Sequence, residues 1–275
     1  MRLLQLSDPH LLAAPGGHYR DCQPLALLER ALLQAGRQPH DLLLISGDLC
    51  QDETWQGYVR LGELLGRRGQ LGLPPVPVAL LPGNHDHPAL LRAALGRQAQ
   101  IAPAVVELQG ARLVLLDSHR AGCVAGWIGE RQRTWLAAQL AAAPHAPTLV
   151  AVHHPPVPIG DAGLDAIGLH DGPPLLAVLR EQPGVRAVLF GHVHQHWHGR
   201  LPDRPEALEP VELLGCPSTL CSFGPVQPCP LGRAQDPGGR WLRLDATGRL
   251  QQRLLRWHGS DEAVPSARWT QKGLG

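Results

Sequence analysis

The stretch "VPVALLPGNHDHPALLRAALG" (residues 76–96) runs from an apolar segment through four consecutive polar side chains, Asn84 to His87, into a helical pattern. The apolar run predicts a buried strand over 76–81, and Pro88 and Gly96 bracket a short helix over 88–96. A loop that only had to turn could use Gly, Ser or Pro. Asn, His, Asp and His offer metal-binding or proton-carrying groups instead.

The same unit recurs outward from this stretch. "RLLQLS" (2–7) and "DLLLIS" (41–46) read as strands, and "PLALLERALLQA" (24–35) and "ETWQGYVRLGELLGRRG" (53–69) as helices. "AVVEL" and "RLVLLD" (104–108 and 112–117) predict a hairpin through Gln109-Gly110. Further on, "ERQRTWLAAQLAAA" (130–143) is helical, "TLVAVHH" (148–154) a strand, "PPLLAVLREQ" (173–182) a helix, and 185–201 strand, turn, strand. "PVELLG", "RWLRLDA" and "RLQQRLLRW" predict a β-meander. Strand–helix units followed by late strands predict one α/β domain with mixed sheets over 1–257, and the unpatterned residues 258–275 a loose tail.

Lys and Arg total 25 and Asp and Glu 24 in 275 residues. That balance, with no basic stripe or basic amphipathic helix, argues against nucleic-acid and membrane partners. No apolar run approaches the ~18 residues of a membrane span, and the N-terminus lacks a signal-peptide pattern. The six cysteines show no metal-site or disulfide-framework spacing. Reduced thiols and a cytoplasmic location are expected.

Ligand-binding residues in open α/β sheets collect past the carboxyl ends of strands. The predicted strand ends deliver Ser7, Asp8 and His10; Gly47 and Asp48; Gly83 to Asp86; His153 and His154; and Gly191, His192 and His194. Singly, Asp8 reads as a turn residue, Asp48 as a helix cap and His153 as a core histidine. Their coincidence at one sheet edge outweighs those readings. Asp8-x-His10 and His192-x-His194 are expected on one side of an extended backbone, with His196 some 6–7 Å farther on and, like His198, outside the ligand set.

Asp8, His10, Asp48, Asn84, His153, His192 and His194 form an oxygen and nitrogen set suited to Mn, Fe, Co or Zn rather than a thiolate zinc site. Seven ligands suit two ions, with the anionic Asp48 as the bridge. Two divalent ions against two carboxylates leave a cationic site, fit for a phosphoryl group and for attack by a hydroxide bridging the metals. His85 is placed to bind the phosphoryl oxygen or protonate the leaving alkoxide. Asp86 is expected to hold the His85 imidazole in its tautomer, and His87 to be an exposed loop residue.

Asp8-x-His10, Gly47-Asp48, Gly83-Asn84-His85-Asp86, His153 and Gly191-His192-x-His194 together resemble the calcineurin-like metallophosphoesterase superfamily. The resemblance implies a four-layer αββα sandwich of two mixed sheets flanked by helices. It also implies one ion on Asp8, His10, Asp48 and His194, and a second on Asp48, Asn84, His153 and His192. His85 falls at the catalytic histidine, with substrate contacts at His10, Asp48, Asn84, His85 and His194. "LQLSDPHL", "LPGNHD", "VHHPP", "GHVHQ" and "CPSTLCSFGP" (216–225) look most like bacterial class III cyclic-nucleotide phosphodiesterases, although Cys221-Ser222 stands where that class has Gln before the Phe. Hydrolysis of 3′,5′-cyclic AMP to 5′-AMP with two Fe²⁺ or Mn²⁺ ions is then expected, lowering cyclic AMP signalling. The alternatives are a phosphomonoesterase or another diester substrate, namely a 2′,3′-cyclic nucleotide, a glycerophosphodiester or a nucleotide-lipid. A non-catalytic scaffold is disfavoured because no ligand is lost. The sequence leaves oligomeric state open, a homodimer included.

Overall fold

The computed structural model describes residues 1–258. The expected tail therefore lies, His258 apart, outside the described residues. In chain order the elements are β1 (Arg2–Leu6), α1 (Pro24–Ala35), β2 (Leu42–Ser46), α2 (Trp55–Gly66), β3 (Val78–Leu81), α3 (Pro88–Leu95), β4 (Gln100–Ile101), β5 (Ala104–Leu108) and β6 (Ala111–Leu115). Then follow α4 (Gly129–Ala141), β7 (Thr148–Ala151), α5 (Ala162–Asp165), α6 (Gly172–Arg180), β8 (Val185–Phe190), β9 (Trp197–Arg200), β10 (Glu212–Gly215), β11 (Gly238–Leu244) and β12 (Leu250–Arg256). Helix starts follow local chemistry. Pro24 and Pro88 open α1 and α3, Thr54 Oγ1 accepts from Gly57 N–H, and His87 Nδ1 accepts from Leu90 N–H at 3.4 Å. His87 is thus the cap of α3.

The strands make two six-stranded sheets, ordered β12-β11-β1-β2-β3-β4 and β5-β6-β7-β8-β10-β9. Strands β1 to β4 are parallel, as are β6, β7, β8 and β10, while β11, β12, β5 and β9 pair antiparallel. The hairpin at Gln109-Gly110 forms, with φ of 52° and 75°. Alternation along each strand builds the layers. In β1 and β2, Leu3, Leu42 and Leu44 point between the sheets, where Leu113, Leu149 and Leu189 meet them. Leu4, Leu43 and Ile45 point outward onto Leu28 and Leu32 of α1 and Leu61 of α2. On the far face, Val150 and Val188 pack on Leu136 of α4 and Leu179 of α6. Two faces buried per sheet require a helical layer on each outer side, hence αββα. Truncating a leucine such as Leu44 to Ala would cost about 2–5 kcal/mol.

The expected meander over the last third does not form. β10 joins the second sheet parallel to β8, and only β11 and β12 pair as a hairpin, beside β1. Short apolar runs specify strands but not partners. Among the described residues no helix is long and apolar enough to cross a membrane, and all six cysteines are free.

Candidate metal centre

The carboxyl ends of β1, β2 and β3 in one sheet and of β7 and β8 in the other open onto one pocket. There the backbone leaves the extended form at once. Asp8, His10, Asp48, His192 and His194 have φ of 52°, 49°, 46°, 66° and 49°. The expected extended Asp8-x-His10 and His192-x-His194 segments are therefore corrected. The pairs do converge, but through left-handed residues that reverse the chain, a conformation costing on the order of 1–3 kcal/mol each and held by the surroundings. The loops brace one another: Asp8 N–H donates to Gly47 O at 3.1 Å, His10 N–H to Asp48 O at 2.9 Å, and His192 N–H to Asp8 Oδ1 at 3.1 Å. Glycines permit this approach. A Cβ on Gly47 would lie 2.2 Å from His153 Nδ1, and one on Gly83 would lie 2.1 Å from Asp48 Oδ1.

Asp8, His10, Asp48 and His194 form one buried set, their ligand atoms all within 4.8 Å of one another. His10 Nδ1–H donates to Gln51 Oε1 at 2.7 Å, and His194 Nδ1–H to the Cys221 carbonyl at 3.2 Å. These acceptors leave both Nε2 atoms bare, and the two face each other at 3.0 Å. Facing lone pairs repel unless a cation or proton lies between them. Burial resists charge on His194, but the Asp8 carboxylate outweighs it and raises the imidazole to about 9. Burial pushes His10 down to about 4.

A second set lies alongside. His153 Nδ1–H donates to Ser46 O at 2.8 Å, aiming Nε2 at Asn84 Oδ1 (3.3 Å) and Asp48 Oδ1 (3.4 Å). His192 Nδ1 lies 3.0 Å from the same Asn84 oxygen. Asp48 belongs to both sets, Oδ1 toward His153 and Oδ2 3.8 Å from His10 Nε2. Buried Asp8 Oδ2 and His192 Nε2 have no hydrogen-bond partner among the described residues. Orphaned donor atoms, facing lone pairs and an oxygen–nitrogen set fit divalent cations. His154 lies within the same radius of His153 and His192, yet its Nδ1 is engaged by Ser118 Oγ at 2.8 Å and its Nε2 by Val124 O at 2.9 Å. It braces the wall and has no lone pair to give.

His85 stands half-exposed, its ring edge-on to His10 at 5.3 Å. The amide of Gln51 ties the two together: Oε1 accepts from His10, and Nε2 donates to His85 Nδ1 at 3.2 Å. In the neutral ring the proton of His85 therefore sits on Nε2. Gln51 was not legible in the sequence, since a glutamine after a strand-end Asp carries no chemical signature. Asp86 does not do what was expected of it. Its buried carboxylate accepts from Gly83, Leu49 and Cys50 N–H at 2.8–3.0 Å and from Tyr58 OH at 3.1 Å, and it pins the β2 and β3 loops instead of touching the His85 ring. Burial, then the charge of Asp48, raises it to about 7 against those hydrogen bonds. His196 is buried and accepts from Arg240 Nη2 at 2.7 Å, while His198 pairs with Glu212 at the surface.

Beside the centre opens a groove of about 710 Å³, lined by Asn84, His85, His87, Arg92, His119 and Cys123 among others. Of the expected substrate contacts, Asn84 and His85 face this groove, whereas His10, Asp48 and His194 are buried. The arrangement can hold a metal ion under an open groove, with the His85 imidazole at its edge.

Residues 1–196 match the family model described as calcineurin-like phosphoesterase. The chain is 51% identical over 269 residues to a probable cyclic nucleotide phosphodiesterase of Synechococcus sp. (strain WH7803), covering 96% of this chain and 99% of that protein. It is 34% identical over 266 residues to the 3′,5′-cyclic adenosine monophosphate phosphodiesterase CpdA of Escherichia coli (strain K12), covering 93% and 90%. In fold it is similar to a dimetal phosphatase from Danio rerio, with a TM-score of 0.60 at 15% identity over 94% of this chain and 96% of that one.

Proposed function

Because the chain belongs to the calcineurin-like phosphoesterase family, a family of hydrolases, we propose that it is a metal-dependent phosphodiesterase that hydrolyses 3′,5′-cyclic AMP to 5′-AMP. One observation carries this reading: two donor sets share the two oxygens of Asp48, and the tautomers of His10, His153 and His194 are fixed by groups outside the sets. Asp8, His10, Asp48 and His194 would hold one cation, and Asp48, Asn84, His153 and His192 the other, with Fe²⁺ or Mn²⁺ suiting the donors. When bound, the cations supply the Lewis acidity that ionises water near neutral pH and offsets charge on the phosphoryl oxygens.

The rest is the work of the side chains. Asn84 contributes a neutral oxygen, which keeps the pocket attractive to an anionic diester. His85 Nε2–H donates to O3′ as the P–O3′ bond breaks, and the Gln51 amide keeps Nδ1 an acceptor so that the proton sits at the required atom. Asp86 and Tyr58 fix the loop that carries Asn84 and His85. Overall similarity to cyclic-nucleotide phosphodiesterases along almost the whole chain supports the substrate class.

The test is kcat/KM for 3′,5′-cyclic AMP, 3′,5′-cyclic GMP, 2′,3′-cyclic AMP and a glycerophosphodiester, measured side by side with added Mn²⁺. Preference for 3′,5′-cyclic AMP is expected. A glycerophosphodiester turned over more efficiently than any cyclic nucleotide would overturn the assignment.

A further inference from the structure

The loop between β1 and α1 reaches back over the first donor set. Tyr19 and Cys22 close it as a two-residue hairpin turn, with N–H to O distances of 2.9 and 3.0 Å in the two directions. The residues at its tip, Arg20 and Asp21, have φ of 50° and 59°. Type I′ turns of this kind ordinarily take Asn and Gly there, and the left-handed region disfavours an arginine. Strain of this sort, held where a ligand binds, points to a side chain that must be in one place.

That side chain ends between two aromatic rings. The Arg20 guanidinium carbon lies 5.0 Å from the centre of the Phe223 ring and 5.5 Å from that of Tyr19. Phe223 stacks flat on His194, centres 4.3 Å apart and planes 3° apart, and Tyr19 lies 5.3 Å from the His10 ring. Both rings thus rest on imidazoles of one donor set. Arg20 is exposed, its guanidinium hydrogen-bonds to the Tyr19 side chain, and among the described residues no carboxylate forms an ion pair with it. A guanidinium carries five N–H donors, so the bond to Tyr19 and the contact with the rings leave further N–H groups for an acceptor.

We infer that Arg20 captures the phosphoryl group of the substrate at the rim of the metal centre, an inference that rests on the phosphodiesterase reading above. A planar fork of N–H donors matches two phosphoryl oxygens, and an unneutralised cation beside an anion site raises local substrate concentration. The contact belongs to binding rather than to bond breaking, so it acts on KM.

The experiment compares wild type, Arg20→Lys and Arg20→Gly. KM and kcat are measured for 3′,5′-cyclic AMP and bis(p-nitrophenyl) phosphate, and the Mn²⁺-loaded proteins are titrated calorimetrically with inorganic phosphate. Arg20→Gly is expected to raise KM about tenfold for both diesters with kcat little changed, and to weaken phosphate binding by a similar factor. Arg20→Lys should fall between, because it keeps the charge and loses the fork. The melting temperature of Arg20→Gly should equal or exceed that of wild type, since glycine accepts the turn, whereas a merely structural arginine would lower it. Unchanged KM and phosphate affinity would overturn the inference, as would a KM increase confined to cyclic AMP, which would make Arg20 a base contact. Wild-type protein inactive on every diester yet binding phosphate tenfold better than Arg20→Gly would remove the phosphodiesterase reading and keep the anion site.

Discussion

At His85 the position of one proton is decided by a neighbour that takes no part in bond breaking. Removing the ring should lower kcat roughly 10²–10⁴-fold while both ions stay bound, the usual scale of acid–base assistance. Turnover unchanged in His85→Ala, checked beside elemental analysis, would remove it from the mechanism. Gln51→Leu keeps the volume and loses both hydrogen bonds. It should cost about 10–100-fold, as outer-shell partners typically do, and also loosen metal binding through His10. A loss in kcat alone, with metal affinity intact, would separate Gln51 from His10. The sequence made His85 legible because histidine after Asn at a strand end is chemically expressive. It did not reveal Gln51, and it misdirected attention to Asp86, because a carboxylate next in sequence need not be next in space.

The loops after the strands are where geometry is decided. Asp48 faces both donor sets, so Asp48→Ala should deplete both ions, whereas Asp8→Ala should mainly empty one; elemental analysis showing the reverse would overturn the bridging assignment. Asp86→Ala leaves three buried backbone N–H groups and the Tyr58 hydroxyl without their acceptor. A loss of at least about 2 kcal/mol in denaturant unfolding is expected, more than for His85→Ala. The order of strands, loops and helices was legible from apolar runs and Pro/Gly punctuation, and so was the edge on which the donors gather. The left-handed residues were not. Asp and His tolerate that region without announcing it, and only Gly47, Gly83 and Gly191 hinted at tight approach. The partner of β10 was equally hidden, since nothing in "ELLG" says which sheet it joins.

Across the whole molecule the two sheets share the centre. One supplies Asp8, His10, Asp48 and Asn84, and the other His153, His192 and His194. Cations bound there would join the halves, so chelation should lower the melting temperature, and restoring Mn²⁺ should recover it. An unchanged melting curve would show that the halves hold without them. Buried histidines outside the donor sets set an acid limit. Burial lowers His40, His154 and His196 below their ordinary 6.5, His196 to about 4 with help from Arg240. The unfolded chain takes up these protons first. Their contribution is therefore complete above pH 6.5 and lost as pH falls through the folded values. Melting temperature should drop between pH 7 and pH 5, and a flat profile would contradict the assignment.

The pairing of β1 with β11 has a consequence for synthesis on the ribosome. Strand β1 lies between β2 and β11, and the nitrogen of Met1 just before it donates to the carbonyl of Leu244. During translation, the β1 edge that will receive β11 must wait until residues 238–244 have been made before its neighbour appears. A nascent chain halted before residue 238 would offer that edge to other molecules, making it a natural point of chaperone engagement.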